Sequence, residues 1–135
     1  MNAVIFYHAN SKLEDTAYDL STLLKIKINT KYKSLIFDVD FFMKLRRNPD
    51  GLEFGRFNFE FPGGCFEFNN SIEFSYDDNS KDDKIIDMVS KILYFFWSKD
   101  IPAVASGIEG GKLPYNGGYN RKDLPWPKND SNNFF

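Results

Sequence analysis

One cysteine and one histidine in 135 residues leave little material for most catalytic or metal-binding chemistry. With Cys65 alone no internal disulfide can form, which agrees with a reducing compartment and sets the expectation of a cytoplasmic protein. With His8 alone there is no multi-histidine zinc site, and any catalytic triad would have to be built on this one imidazole. Cys65 lies between a glycine pair and a phenylalanine-rich strand, where a small buried hydrophobe is the commoner role than a nucleophile. His8 reads in the same way as a core residue.

Long apolar runs are missing too. The longest, residues 92–97, has six residues against the roughly 20 that a membrane-spanning helix requires, so no such helix is expected. The opening MNAVIFYHANSKLED has neither a basic start nor a sustained apolar stretch and does not read as a secretion signal. A net charge of −2 is too small to argue for general binding to nucleic acid or membrane. Carboxylates are numerous, but they fall at alternating strand positions or in first helical turns, where solvation explains them. We therefore assign no catalytic, metal-binding or cofactor-binding residue, and we do not expect an enzyme.

What the chain does have is apolar and aromatic material: 42% hydrophobic residues, including 15 Phe, enough for one core. The expected organisation is a single domain over residues 1–127 with a frayed tail over 128–135. Residues 3–7 (AVIFY) form a buried strand. Ser11 and Glu14 have the form of a capping box, and Leu13, Ala17, Leu20 and Leu24 make one helical stripe behind it. From Ser34 the period becomes two, with Leu35, Phe37, Val39, Phe41, Met43 and Leu45 on one face; the strand is expected to about Phe41, with DFFMKLRR open to a helical turn. Asn48, Pro49, Asp50 and Gly51 mark a turn.

Phe57, Phe59 and Phe61 then alternate with polar residues, as do Phe66, Phe68, Ile72, Phe74 and Tyr76 after Pro62, Gly63 and Gly64. This predicts a hairpin with one apolar and one polar face. Ser80 and Asp83 repeat the capping pattern before a helix to Ser98, and residues 101–105 (IPAVA) close the order as a last strand. The fold class that follows is α+β, a mostly antiparallel sheet with two helices packed on one face; the ferredoxin-like split βαβ arrangement is the nearest named topology.

Two motif readings fail on their residues. GIEGGK resembles the end of a phosphate loop, but Ser106 stands where the first Gly is needed, Leu113 where Ser or Thr is needed, and Pro114 opposes the required helix. GRFNFEF in a βαββαβ-like order suggests an RNA-recognition sheet, but it lacks the Gly after the basic residue and places Glu60 where phosphate would lie. No direct contact with nucleic acid is expected.

Charge is unevenly distributed. Residues 25–47 carry seven bases against Asp38 and Asp40, and residues 67–87 carry seven acids against Lys81 and Lys84. Unless the fold interleaves them, the surface has one basic and one acidic region, either ordinary solvated charge or a docking face.

The segment LYFFWSKDIPAVASGIEGGKLPYNGGY, with the strand SIEFSYD before it, resembles the C-terminal part of bacterial immunity proteins of contact-dependent growth inhibition (CdiI-like) and related polymorphic toxin systems. The resemblance rests on Trp97, Ser98, residues 101–105, Leu113, Pro114, Gly117, Gly118 and Tyr119, about a third of the chain from Ser71 to Tyr119. A mostly acidic stretch before Leu-Pro is replaced here by residues 106–111 (SGIEGG). The resemblance implies stoichiometric binding of a cognate toxin domain, a nuclease if opposite charge steers the encounter. Candidate contact residues are Glu67, Glu73, Asp77, Asp78, Asp82 and Asp83, together with Tyr115, Tyr119 and Trp126, which serve either as anchors or as staples of the tail. The rival expectation is a small-ligand or regulatory module with a pocket between the sheet and the C-terminal loop.

Overall fold

A computed structural model of the chain describes residues 2–29, 35–51, 68–77 and 79–118. Its strands are β1 (Asn2–Tyr7), β2 (Ile28–Asn29), β3 (Leu35–Phe37), β4 (Phe42–Arg47), β5 (Asn70–Ser75) and β6 (Ala103–Ser106), with helices α1 (Leu13–Leu24) and α2 (Asp82–Ser98). Among the described residues they form one sheet in the order β2-β3-β4-β5-β1-β6, with every neighbouring pair antiparallel. The α+β class with an antiparallel sheet and two helices is as expected.

Tyr7 shows that both helices lie on one face of the sheet. Its ring stacks on Phe96 of α2 at 4.3 Å between centroids, while its hydroxyl ends beside Thr16 of α1. Ala3, Ile5, Tyr7, Met43, Leu45, Ile72, Phe74, Ala103 and Ala105 share that face by register and are buried. They meet Ala17 and Leu20 of α1 and Ile85, Val89, Ile92 and Phe96 of α2 in one core. The expected α1 stripe is therefore present, with Leu13 and Leu24 at its half-buried ends.

The connections differ from expectation in three places. First, the apolar alternation after Ser34 is two strands and not one: the chain bends at residues 38–41 and returns as β4, so that Leu35 faces Leu45. Asp38 donates its N–H to Lys27 O at 2.7 Å, and Lys81 and Lys84 hold the Asp40 carboxylate, which fixes this bend to the start of α2. The stretch left open to helix is thus a strand. Second, β5 pairs with β4 on one side and β1 on the other, where a hairpin with the segment Phe57 to Phe61 is expected from the sequence. That segment, the Pro62–Gly64 turn, Cys65 and the tail 128–135 lie outside the described residues. Third, neither capping box forms. The N-cap positions are Lys12 and Lys81, without a side-chain cap, and the Ser11 hydroxyl pairs instead with that of Thr16 at 3.0 Å. Each helix begins one residue later than its cap signal implies.

The ends of β1 and β5 are joined by a polar network. Asn69 uses its side chain as a strand uses its backbone: Oδ1 accepts Ala9 N–H at 3.0 Å and Nδ2 donates to Ala9 O at 2.7 Å. Asn69 N–H donates to His8 Nδ1 at 3.1 Å, and His8 N–H donates to Pro102 O at 3.0 Å. His8 is 1% exposed, and burial lowers its pKa from 6.5 to about 4. It is a core histidine, held neutral because Nδ1 must stay free to accept.

Because the unfolded chain takes up this proton near pH 6.5 and the folded chain only near 4, stability is full above about 6.5 and falls as pH drops through that window. The shift corresponds to a loss on the order of 3 kcal/mol by pH 4. In His8→Asn, which keeps an acceptor but does not titrate here, urea midpoints measured from pH 7 to pH 4 should lose most of that slope.

Candidate functional site

Among the described residues, the acidic contact candidates are spread over β5, the chain just beyond it and the first turn of α2. Glu73 sits mid-strand on the face of the sheet opposite the helices, between Lys44 of β4 and Val4 of β1, and is ion-paired to Arg46. Asp77 is exposed just beyond β5. Asp82 and Asp83 occupy the first turn of α2, where the helix dipole favours them. Asp82 lies against the Tyr76 hydroxyl, whose pKa is raised by burial first and by this carboxylate second.

Nearby, Lys81 and then Lys84 hold the Asp40 carboxyl down to about 2. The basic block thus contributes its own acid, and the acidic block its own bases, to the contacts between them. Among the described residues the two blocks meet at these pairs, Arg46 with Glu73 and Asp40 with Lys81 and Lys84. Glu67, Asp78, Tyr119 and Trp126 lie outside the described residues.

Tyr115 belongs to a different part of the surface. Asp82 and Asp83 begin α2 and Trp97, which Tyr115 touches, ends it, a separation of roughly 22 Å at about 1.5 Å per residue. Trp97 is 4% exposed and donates its indole N–H to Ala103 O at 3.0 Å. Against it stand two exposed tyrosines, both edge-on: Tyr94 at 5.6 Å and Tyr115 at 5.7 Å between centroids. They keep 54% and 46% of their surface open to solvent. The result is an aromatic ridge whose buried centre is bonded to the sheet and whose two flanks face outward.

The backbone beneath Tyr115 is unusual. Tyr115, Asn116, Gly117 and Gly118 are all left-handed, with φ of 51°, 52°, 69° and 97°. For a side chain such as Tyr this conformation costs roughly 1–2 kcal/mol, and it persists only where surrounding contacts hold it. Those contacts are the ring of Tyr115 on Trp97, buried Leu113, and the two glycines lying along the β6 edge. A Cβ on Gly118 would stand 2.6 Å from Ala103 O and one on Gly117 3.2 Å from Ala105 O. Residues 113–118 therefore lie against the outer edge of β6. The loop staples the fold at Tyr115, whose ring packs against Trp97 while the rest of it stays open to solvent.

Tyr94 is not among the contact residues expected from the sequence. Its spacing of three from Trp97 on one helix was the available signal. Among the described residues no group of three His, Cys, Asp or Glu side chains is placed to hold a metal ion, and no helix is long and apolar enough to cross a membrane. Compared with known proteins, the chain matches no family model, no curated protein and no solved structure.

Trp97→Phe tests the centre of the ridge. It keeps an aromatic ring for Tyr94 and Tyr115 but leaves Ala103 O without its side-chain donor, which should cost about 1–3 kcal/mol in chemical denaturation.

Proposed function

We propose that this chain is an immunity-type protein that neutralises a toxin domain by one-to-one binding, with Tyr94 and Tyr115 as its contact residues over Trp97. The observation that carries the reading is the pair of exposed tyrosines set against one buried tryptophan, one of them held in place by a left-handed turn. Tyrosine offers large contact area with few rotamers to freeze, and aromatic anchors dominate interface energetics. A ring already fixed before binding loses less entropy on association than a mobile one. The resemblance of residues 71–119 to immunity proteins supplies the class of partner, and the reading implies action in the cytoplasm, where a delivered toxin would be met.

The interleaved charges change what kind of toxin is favoured. A strongly acidic face would have selected a basic partner such as a nuclease, whereas paired ions such as Arg46 with Glu73 and Asp87 with Lys91 present little net field. The nuclease assignment holds only where opposite charge steers the encounter, because the resemblance itself implies a toxin domain and no particular activity. Recognition in this proposal is by aromatic contact, and charge acts on the encounter rate.

Co-expression with the toxin domain encoded beside this chain is the direct test. A one-to-one complex on gel filtration and survival of the producing cells are expected; toxicity without a complex would sink the proposal. Within a complex, Tyr94→Ala with Tyr115→Ala should weaken binding at least about tenfold, which is roughly 1.4 kcal/mol. Asp83→Asn at the far end of α2 should leave the dissociation rate unchanged in the same assay.

A further inference from the structure

Strand β6 ends the sheet, and an uncovered edge strand is a template for another chain. His8 N–H donates to Pro102 O, so in the β1–β6 register the pairs His8/Pro102, Phe6/Val104 and Val4/Ser106 are the hydrogen-bonded ones. Ala103 and Ala105 consequently direct their N–H and C=O groups away from β1, along the outer edge. Among the described residues two contacts cover that edge. Trp97 takes Ala103 O, and the backbone at Gly117 and Gly118 lies against Ala105 O and Ala103 O, closer than any side chain would allow at Gly118.

We propose that residues 113–118 are a latch on the β6 edge, and that the strand this latch excludes is β6 of a second copy of the same chain. The edge is self-complementary. In an antiparallel pair of β6 strands related by a two-fold axis through Val104, Ala103 of each copy stands opposite Ala105 of the other. Those are the two residues whose polar groups point outward, so both pairs would be fully hydrogen-bonded and isologous. Their side chains are methyl groups on the helix-facing side, which lets the strands approach without a clash. The latch is held by the Tyr115 ring on Trp97 and by two positive-φ glycines. Among the described residues these contacts, together with the Trp97 indole bond to Ala103 O, must give way for the edge to open. The inference stands apart from the toxin-binding proposal and holds or fails without it.

Gly118→Val and Tyr115→Ser open the latch in different ways, the first by adding bulk against Ala103 O and the second by releasing the ring from Trp97. Sedimentation analysis over a wide concentration range, with amide exchange read at Ala103 and Ala105, tests the result. The unsubstituted chain should run as a monomer. Either variant should show a reversible species of twice the mass, with Ala103 and Ala105 protected at high concentration and exchanging at low. Adding Ala105→Pro, which removes an outward N–H that β1 does not use, should return the variant to the monomer. The proposal is overturned if both variants stay monomeric at every concentration, whether their edge amides exchange or not. It is equally overturned if the unsubstituted chain is already a dimer, or if Ala105→Pro leaves a dimer intact. A variant that fails to fold leaves the other to decide.

Discussion

Everything else in this fold depends on β1 being clasped between β5 and β6. It pairs antiparallel with both, so β5 and β6 run parallel to each other one strand apart, and α2 is the crossover that joins them. The first strand thus occupies the gap in a split βαβ unit formed by the last part of the described chain. Its residue Tyr7 carries the packing in the same way, with its ring on α2 and its hydroxyl beside α1. The polar network at the end of β1, built on His8 and Asn69, locks the ladder where the strands part. Burial keeps the imidazole at that point neutral, as its role as acceptor requires.

Placing β1 there has a consequence at the other end of the sheet. With β1 already flanked, β6 has one side without a strand among the described residues, and the chain beyond it turns back to cover that side. The cover needs close approach of backbone to backbone, which only glycine permits at Gly118, and a left-handed path, which asparagine and glycine tolerate better than tyrosine. Tyr115 is nevertheless held left-handed, and the compensation is its ring contact with Trp97. The same tryptophan donates to Ala103 O. Edge protection and surface display are therefore two results of one set of contacts around one indole.

The sequence made the layers legible because burial in both helices and most strands follows a simple period. Leu13, Ala17, Leu20 and Leu24 read as a stripe and are one; Ile72, Phe74 and Tyr76 read as the dry side of a strand and are so. The turn at residues 38–41 was hidden by the same signal. In the β3–β4 register Phe37 falls opposite Met43, so odd-numbered residues face the core before and after the bend and the alternation continues through it. Pairing was invisible for a related reason: β5 has a pattern that any neighbour on the same face would satisfy, and periodicity cannot say whether that neighbour is β4 or a nearer segment. The capping signals failed because a hydroxyl near a helix start has other partners, as Ser11 has in Thr16.

The site was the least legible part because it is made of contacts between distant positions. Charge counted along the chain separated a basic from an acidic block, yet β4 and β5 come from those two blocks and lie side by side, so Arg46 meets Glu73. Tyr94 on a helix and Tyr115 on a turn have no shared pattern in sequence; they share Trp97 only once α2 and the segment after β6 meet at the sheet edge. This geometry also limits how a partner can act. Under the two proposals, a protein seated on Tyr115 would bear on the residue that closes the β6 edge, so occupancy of the ridge and closure of the latch would be coupled through a single ring. Contacts that hold Tyr115 against Trp97 would tighten the latch, and contacts that draw it away would loosen it, with the sign set by which side of the ring the partner takes.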